Sequence, residues 1–465
     1  MAYLYNTPDD VAAMLARIGV ASIDELFTSL PEELRLKRPL KLPPAMSELE
    51  LTSHVAQLAA ENDDVRRKVC FLGGGAYDHF IPAVIDSLAS RGEFYTSYTP
   101  YQPEVSQGTL QAMFEYQTLI CQLTGMDVSN ASLYDGGSAA AEAVLLAMSV
   151  TSRSGKVVVL ESVHPHYRQI LSTYLANLGT ELITVRAPGG WVDPAAVAAA
   201  VDSHTACVLV QHPNFFGCLE EVAALAEAAH RVGALLVQVF DPISLGLLKR
   251  PAELGADVAV AEGQALGIPL SFGGPYLGIM ACKEAFVRRL PGRIAGQTVD
   301  RRGQRCWVLT LQTREQHIRR EKATSNICTN QGLMALRAAI YLALAGPQGL
   351  AEVAALCVRK AAYARQQLTL GGRLECRFDR PCFKEFVLRD RQGQVREWLA
   401  QAHQAGFLAG LPLGPWYPEL DDCLLVAVTE KRSRAEIDAL AQVGVGRAGG
   451  GAPPAPHVRA TRALA

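Results

Sequence analysis

Several features are missing from this 465-residue chain, and each absence removes a class of function. Its 44 basic and 46 acidic side chains leave a formal charge of −2, with no basic run, so neither nucleic acid nor an anionic membrane surface is indicated. The 11 cysteines are scattered without CxxC spacing, which points to no metal centre and to a reduced, cytosolic compartment. No uncharged apolar run reaches membrane-spanning length; the longest, near 139–150 and 192–201, are alanine-rich helix material. The opening MAYLYNTPDD lacks the basic and apolar regions of a secretory signal, so a cytoplasmic location is expected. Phe71-Leu72-Gly73-Gly74-Gly75 suggests a dinucleotide loop, but Asp78 stands where GxGxxG needs its last glycine and no GK[ST] follows. Internal repeats are also absent.

What remains is an ordinary globular composition, 49% hydrophobic and 19% charged, in a chain long enough for two or three domains. Residues 1–60 read as a helical extension. Thr7-Pro8-Asp9-Asp10 and Ser22-Ile23-Asp24-Glu25 start helices, and Pro39, Pro43 and Pro44 impose an extended connection. Residues 61–330 read as a large α/β domain. Apolar runs at 156–161, 181–186, 206–211, 234–240, 256–261 and 276–282 alternate with helical stretches such as 219–231, which predicts a mainly parallel sheet covered on both faces. Residues 331–445 hold long helices (332–345, 348–368) and a small α+β domain, and the Gly/Pro-rich 446–465 reads as a disordered tail.

In a parallel sheet the chemistry sits at the carboxyl ends of the strands. Asp135-Gly136-Gly137-Ser138 opens a helix, where free backbone N–H groups hold a phosphate or, more simply, form a capped turn. His164 follows the strand KVVVLES and can stack on a flat ring or serve the fold alone. Asp241 ends ALLVQVFD, where a carboxylate pairs with a protonated pyridine nitrogen or, ahead of Pro242, starts a turn. In this order the four elements of a pyridoxal phosphate (PLP) site would end in a lysine, for the Schiff base, just after the next strand. That place is taken by Gln264, which has no nucleophilic amine. The nearby Lys249 and Lys283 read as solvated surface charges.

FLGGGAYDHFIP (71–82), EFYTSYTPYQPEVSQGTLQAMFEYQT (93–118), YDGGSA (134–139), HPNFFG (212–217), DPISLG (241–246), GQALGIPLSFGGPYLG (263–278) and REQHIRREKATSNICTN (314–330) resemble the glycine cleavage system P-protein. The likeness runs in order over about residues 3–440, to the amino-terminal half that many bacteria make as a separate subunit 1. It implies a PLP-dependent aminotransferase-like fold (fold type I) with a mostly parallel sheet and a small carboxyl-terminal α+β domain. It also implies a subunit of glycine dehydrogenase (decarboxylating). PLP would then be held by subunit 2, in a heterotetramer of two of each subunit. The complex would decarboxylate glycine and pass the aminomethyl group to the lipoyl arm of the H-protein. Asp135, Gly136, Gly137, Ser138, His164, Asp241 and Gln264 become a vestigial cofactor pocket. No catalytic residue is assigned to the chain itself. The tyrosine-rich loop 94–103, with Tyr95, Tyr98, Thr99 and Tyr101, is either an in-trans contributor to the partner's site or interface packing. The rival readings are a pure scaffold and an independent PLP enzyme with an unexpected lysine.

Overall fold

The computed structural model describes residues 5–96, 98–323 and 325–444, and the chain divides into two units, Met1–Asp63 and Asp64–Ala465. The expected tail therefore lies outside the described residues, as do Ser97 and Thr324.

In the first unit Thr7 caps the helix Pro8–Ile18 through a reciprocal bond with Asp10, as the sequence led one to expect. A second capped helix, Glu48–Ala60, begins at Ser47 with Glu50 returning the bond. The start expected at Ser22 yields only the 3₁₀ turn Ile23–Phe27, because the Ser22 side chain makes no cap bond and Pro31 follows closely. None of these helices buries a residue.

The second unit is built on a seven-stranded sheet. Its strands are β1 (Val128–Ser129), β2 (Lys156–Leu160), β3 (Glu181–Val185), β4 (Thr205–His212), β5 (Leu235–Phe240), β6 (Val258–Glu262) and β7 (Gly278–Cys282). Their spatial order is β1-β7-β6-β5-β4-β2-β3. Strands β2 to β6 pair in parallel, while β7 runs antiparallel between β6 and β1. The valine-rich β2 and β4 are buried almost throughout, which is why they read as continuous apolar runs.

Beyond the sheet, helix Gly332–Leu370 is broken at Gly346, whose φ of 60° no α-helix allows and which Pro347 follows. By length and composition the helix could cross a membrane. Instead Ala335, Ala338, Ala339 and Leu342 pack into the unit's core, and Arg337 bonds Gly267 O and Asp86. A four-stranded antiparallel sheet follows: β8 (Leu374–Cys376), β9 (Glu385–Asp390), β10 (Leu411–Pro412) and β11 (Cys423–Ala427), in the order β8-β9-β11-β10.

Candidate functional site: a filled pocket

The carboxyl ends of β2, β4, β5 and β6 bring His164, Gln211, Asp241 and Glu262 around one small cavity. The sheet thus gathers the sequence-selected His164 and Asp241 at one place, and β6 adds Glu262 directly beside the helix that Gly136 begins. Each group meets a partner from within the chain.

The helix Gly136–Thr151 starts after Asp135, whose Oδ1 accepts the Ser138 N–H at 2.7 Å and whose Oδ2 accepts the Ser138 hydroxyl at 3.2 Å. The Gly136 N–H donates to Glu262 Oε2 at 3.0 Å, while Glu262 Oε1 accepts the N–H groups of Gln264 and Leu277, both at 3.0 Å. A carboxylate therefore sits where an anionic ligand would meet the positive helix end. Burial pushes the Glu262 carboxyl up to about 7, against these three backbone donors.

His164 donates from Nε2 to Gly74 O at 2.7 Å and accepts the His166 N–H on Nδ1 at 3.1 Å, which fixes a neutral tautomer. Burial lowers its pKa to about 4. The expected ring partner is present but is not a ligand: Tyr167 stacks on His164 with centroids 4.8 Å apart and planes 21° from parallel. The Tyr167 hydroxyl also fills the space in front of Gly136, where an added Cβ would fall 2.2 Å from it.

Asp241 Oδ1 accepts the Ile243 N–H at 2.9 Å, the turn role open to an Asp-Pro. Its Oδ2 pairs with the Lys384 ammonium at 2.6 Å. Lys384, 1% exposed, lies 3.5 Å from the Tyr77 ring centroid and 3.0 Å from His79 Nε2. An ammonium only donates, so His79 Nε2 accepts and Nδ1 carries the proton it gives to Glu430 Oε2 at 2.6 Å. Burial alone would raise the Glu430 carboxyl, but the bonds from His79 and the Phe80 N–H outweigh it and hold it at about 2. His79, Cys357 and Glu430 offer metal-type donors within 4.8 Å, yet the Lys384 ammonium on the same imidazole opposes a second cation.

Gln264 is 2% exposed and acts as a backbone clamp: Oε1 accepts the Tyr77 N–H at 2.8 Å, and Nε2 donates to Tyr77 O at 3.1 Å and Ile268 O at 2.8 Å. Next to it Glu385 takes the Gly74 N–H at 2.7 Å and the Tyr77 hydroxyl at 2.8 Å, and burial pushes its carboxyl up to about 7. The Gly73–Gly75 segment, no dinucleotide loop, thus puts Gly75 in the wall of this pocket and the Gly74 N–H on Glu385.

PLP does not fit these residues. The open space is about 30 Å³, against several hundred Å³ for an ordinary small-molecule pocket. The helix end, the stacking face and the ring-nitrogen carboxylate are occupied by Glu262, Tyr167 and Lys384. Neither alternative lysine reaches the cavity: Lys249 and Lys283 are both exposed, as expected, and Lys283 also pairs with Asp257 at 2.5 Å. The lysine that does enter, Lys384, was not among the sequence candidates. The signal was a Lys-Glu pair heading the apolar run FVL, charges too costly to bury without partners.

The tyrosine-rich segment stands apart. Phe94 and Tyr95 belong to a short helix, Gly92–Tyr95, rather than a loop, because the Thr96 N–H and hydroxyl close on Gly92 O. Tyr95 and Tyr98 are 69% and 89% exposed. With Thr99 they line an open cavity of about 240 Å³ beside Asn330 and Gln331. Tyr101 packs edge-on against His317, and its hydroxyl meets Arg293 at 3.4 Å.

The family description "Glycine cleavage system P-protein" matches residues 1–443. A probable glycine dehydrogenase (decarboxylating) subunit 1 from Desulforamulus reducens is 52% identical over 95% of this chain and 98% of its own length. A crystal structure of glycine decarboxylase (P-protein) of the glycine cleavage system, in inhibitor-bound form, is 45% identical with a TM-score of 0.87, covering 95% of this chain and 100% of that one. A C-DES mutant with glycine covalently linked to its PLP cofactor shares the fold alone: 14% identity, TM-score 0.59, 82% of this chain and 100% of that one.

Proposed function

The chain belongs to the glycine cleavage system P-protein family, and from that premise we propose that it serves as companion to a second subunit that carries the PLP. Its relatives are named as one subunit of a glycine dehydrogenase, so the chain is part of an enzyme that decarboxylates glycine. The observation that carries the placement of PLP on the partner is the Lys384–Asp241 ion pair inside a cavity of about 30 Å³. A chain that fills its own cofactor site leaves the chemistry to a neighbour whose site is open.

In this reading the complex is a two-plus-two heterotetramer in the cytoplasm, passing the aminomethyl group to the lipoyl arm of H-protein. The cytoplasmic location draws support from 11 unpaired thiols. This chain's own contribution is the exposed tyrosine face. Tyr95, Tyr98 and Thr99 offer hydroxyls and flat apolar surface around an open cavity, the equipment for completing a site across an interface.

The test is reconstitution of this chain, subunit 2 and both together with glycine and lipoylated H-protein, with PLP absorbance read on each. The proposal expects bound PLP only where subunit 2 is present, and turnover only from the pair. Full turnover by subunit 2 alone would reduce this chain to a scaffold. A borohydride-fixed PLP on this chain would overturn the reading.

A further inference from the structure

Two cysteines far apart in sequence face each other across a pair of strand-like segments. Cys218 and Cys382 form an isolated antiparallel bridge, flanked by Leu219 N–H to Pro381 O at 3.0 Å and Phe383 N–H to Gly217 O at 3.2 Å. Backbone bonds on either side and none between the two residues define a non-hydrogen-bonded pair. Such pairs bring Cα atoms to about 4.5 Å with both side chains on one face. A disulfide accepts Cα separations from about 4.4 Å upward. Both thiols are free. Cys218 is buried, Cys382 is half-buried, and Arg365 Nη1 lies 3.2 Å from Cys382 Sγ.

We infer that Cys218 and Cys382 are a built disulfide site that accepts low-molecular-weight disulfides as oxidant. Cys382, the reachable member beside Arg365, attacks one sulfur of the reagent. Its S–H proton goes to solvent, a mixed disulfide forms and one small thiol leaves. Cys218 then loses its proton and attacks Cys382 Sγ. The Cys218–Cys382 bond forms and the second small thiol leaves. Two protein thiols are oxidised and one small disulfide is reduced to two thiols. Burial pushes the Cys218 thiol up to about 12 and raises that of Cys382, which Arg365 partly offsets, so little thiolate is present and the exchange is slow.

The location gives the bond a consequence. Cys382 precedes Lys384 and Glu385, the residues that fill the pocket, and Cys218 ends the turn whose Phe215 packs edge-on against His164. Gly217, at φ +81°, lies so close to β9 that an added Cβ would collide with Glu385 O. Oxidation would fasten the wall carrying Lys384 to the end of β4.

The experiment treats the full chain with hydroxyethyl disulfide and maps its cysteines by mass spectrometry. The expected product is a Cys218–Cys382 crosslinked peptide with no lasting adduct on Cys382, reversed by dithiothreitol. Its unfolding midpoint should rise by about 5 °C, as for a bond closing a long loop. Cys218→Ala should stop the reaction at a stable adduct on Cys382. Cys376 is exposed and supplies the internal control. Three results would overturn the inference: a Cys376–Cys382 link, a persistent Cys382 adduct in the unaltered chain, or an untouched Cys382 after Cys376 is fully modified.

Discussion

Lys384 Nζ stands 2.6 Å from Asp241 Oδ2 and 3.5 Å from the centre of the Tyr77 ring. In a PLP enzyme of this fold a carboxylate at the end of such a strand holds a cationic ring nitrogen. Here the cation is supplied by the chain itself. The replacement is consistent across the pocket, with Glu262 on the helix end and Tyr167 on the imidazole face. A site emptied of its ligand would leave Asp241 Oδ2 and the Gly136 N–H without partners, at a cost of about 1–3 kcal/mol each. Filling it with internal partners removes that cost and keeps the fold shared with the catalytic relatives.

Removing the ammonium should expose what it balances. Lys384→Met is expected to destabilise the chain by about 3–5 kcal/mol, because Asp241, 12% exposed at its side chain, loses its counter-charge. Lys384→Met with Asp241→Asn should recover most of the loss. Urea unfolding of both variants checks this, and a double variant no more stable than the single one would count against the pairing.

Putting lysine back should not restore an enzyme. Gln264→Lys is expected to bind no PLP detectable by absorbance after dialysis, since Lys384, Glu262 and Tyr167 still occupy the pocket. The same change breaks the bonds to Tyr77 and Ile268, so a fall of about 2–4 kcal/mol in stability should accompany it. Stoichiometric PLP on this variant would show that the missing lysine, and not the filled space, is what keeps the cofactor out.

Much of this was legible beforehand and some was not, for physical reasons. Strands β2, β4, β5 and β6 were visible because burial on both faces demands continuous apolar runs. Asp135, His164 and Asp241 were legible as strand-end or helix-start residues, since those are local signals. What fills the pocket was not legible. Lys384 arrives from just before β9, across a long sequence gap, and although Tyr167, Ile170, Leu171 and Leu175 mark the inward face of their helix, that spacing does not say that Tyr167 meets His164. Gln264 looked like a lost nucleophile, whereas its amide clamps the Tyr77 backbone.

The buried carboxyls and imidazoles should pull stability in opposite directions with pH. Glu262 has a folded pKa raised from 4.5 to about 7. Between those values the folded state holds the proton more tightly, so its contribution is present in acid and lost as pH rises through 7. His164 has a folded pKa lowered from 6.5 to about 4, so its contribution is present above 6.5 and lost as pH falls toward 4. Glu262→Gln should therefore gain up to about 3 kcal/mol on the unaltered chain between pH 4.5 and 8, and His164→Phe should gain a similar amount between pH 6.5 and 4. Denaturant unfolding across pH 4–8 reads both differences, and slopes of the same sign would contradict the assignment.

The tyrosine face carries the remaining prediction. Tyr98 is 89% exposed, so its phenol can do little for this chain's own stability. Tyr101 is different, since its hydroxyl meets Arg293 and its ring packs on His317. If the face completes a neighbour's site, Tyr98→Phe should lower turnover of the reconstituted pair by roughly tenfold, the worth of one strong hydrogen bond. Unfolding of the isolated chain and co-elution of the two subunits should not change. Tyr101→Phe should lower turnover too, but with a loss of stability of about 1 kcal/mol in this chain alone. The contrast separates a contact made across the interface from one that merely shapes the loop. Unchanged turnover with Tyr98→Phe would leave the face as packing surface, and loss of co-elution would make it an anchor rather than a contributor to the site.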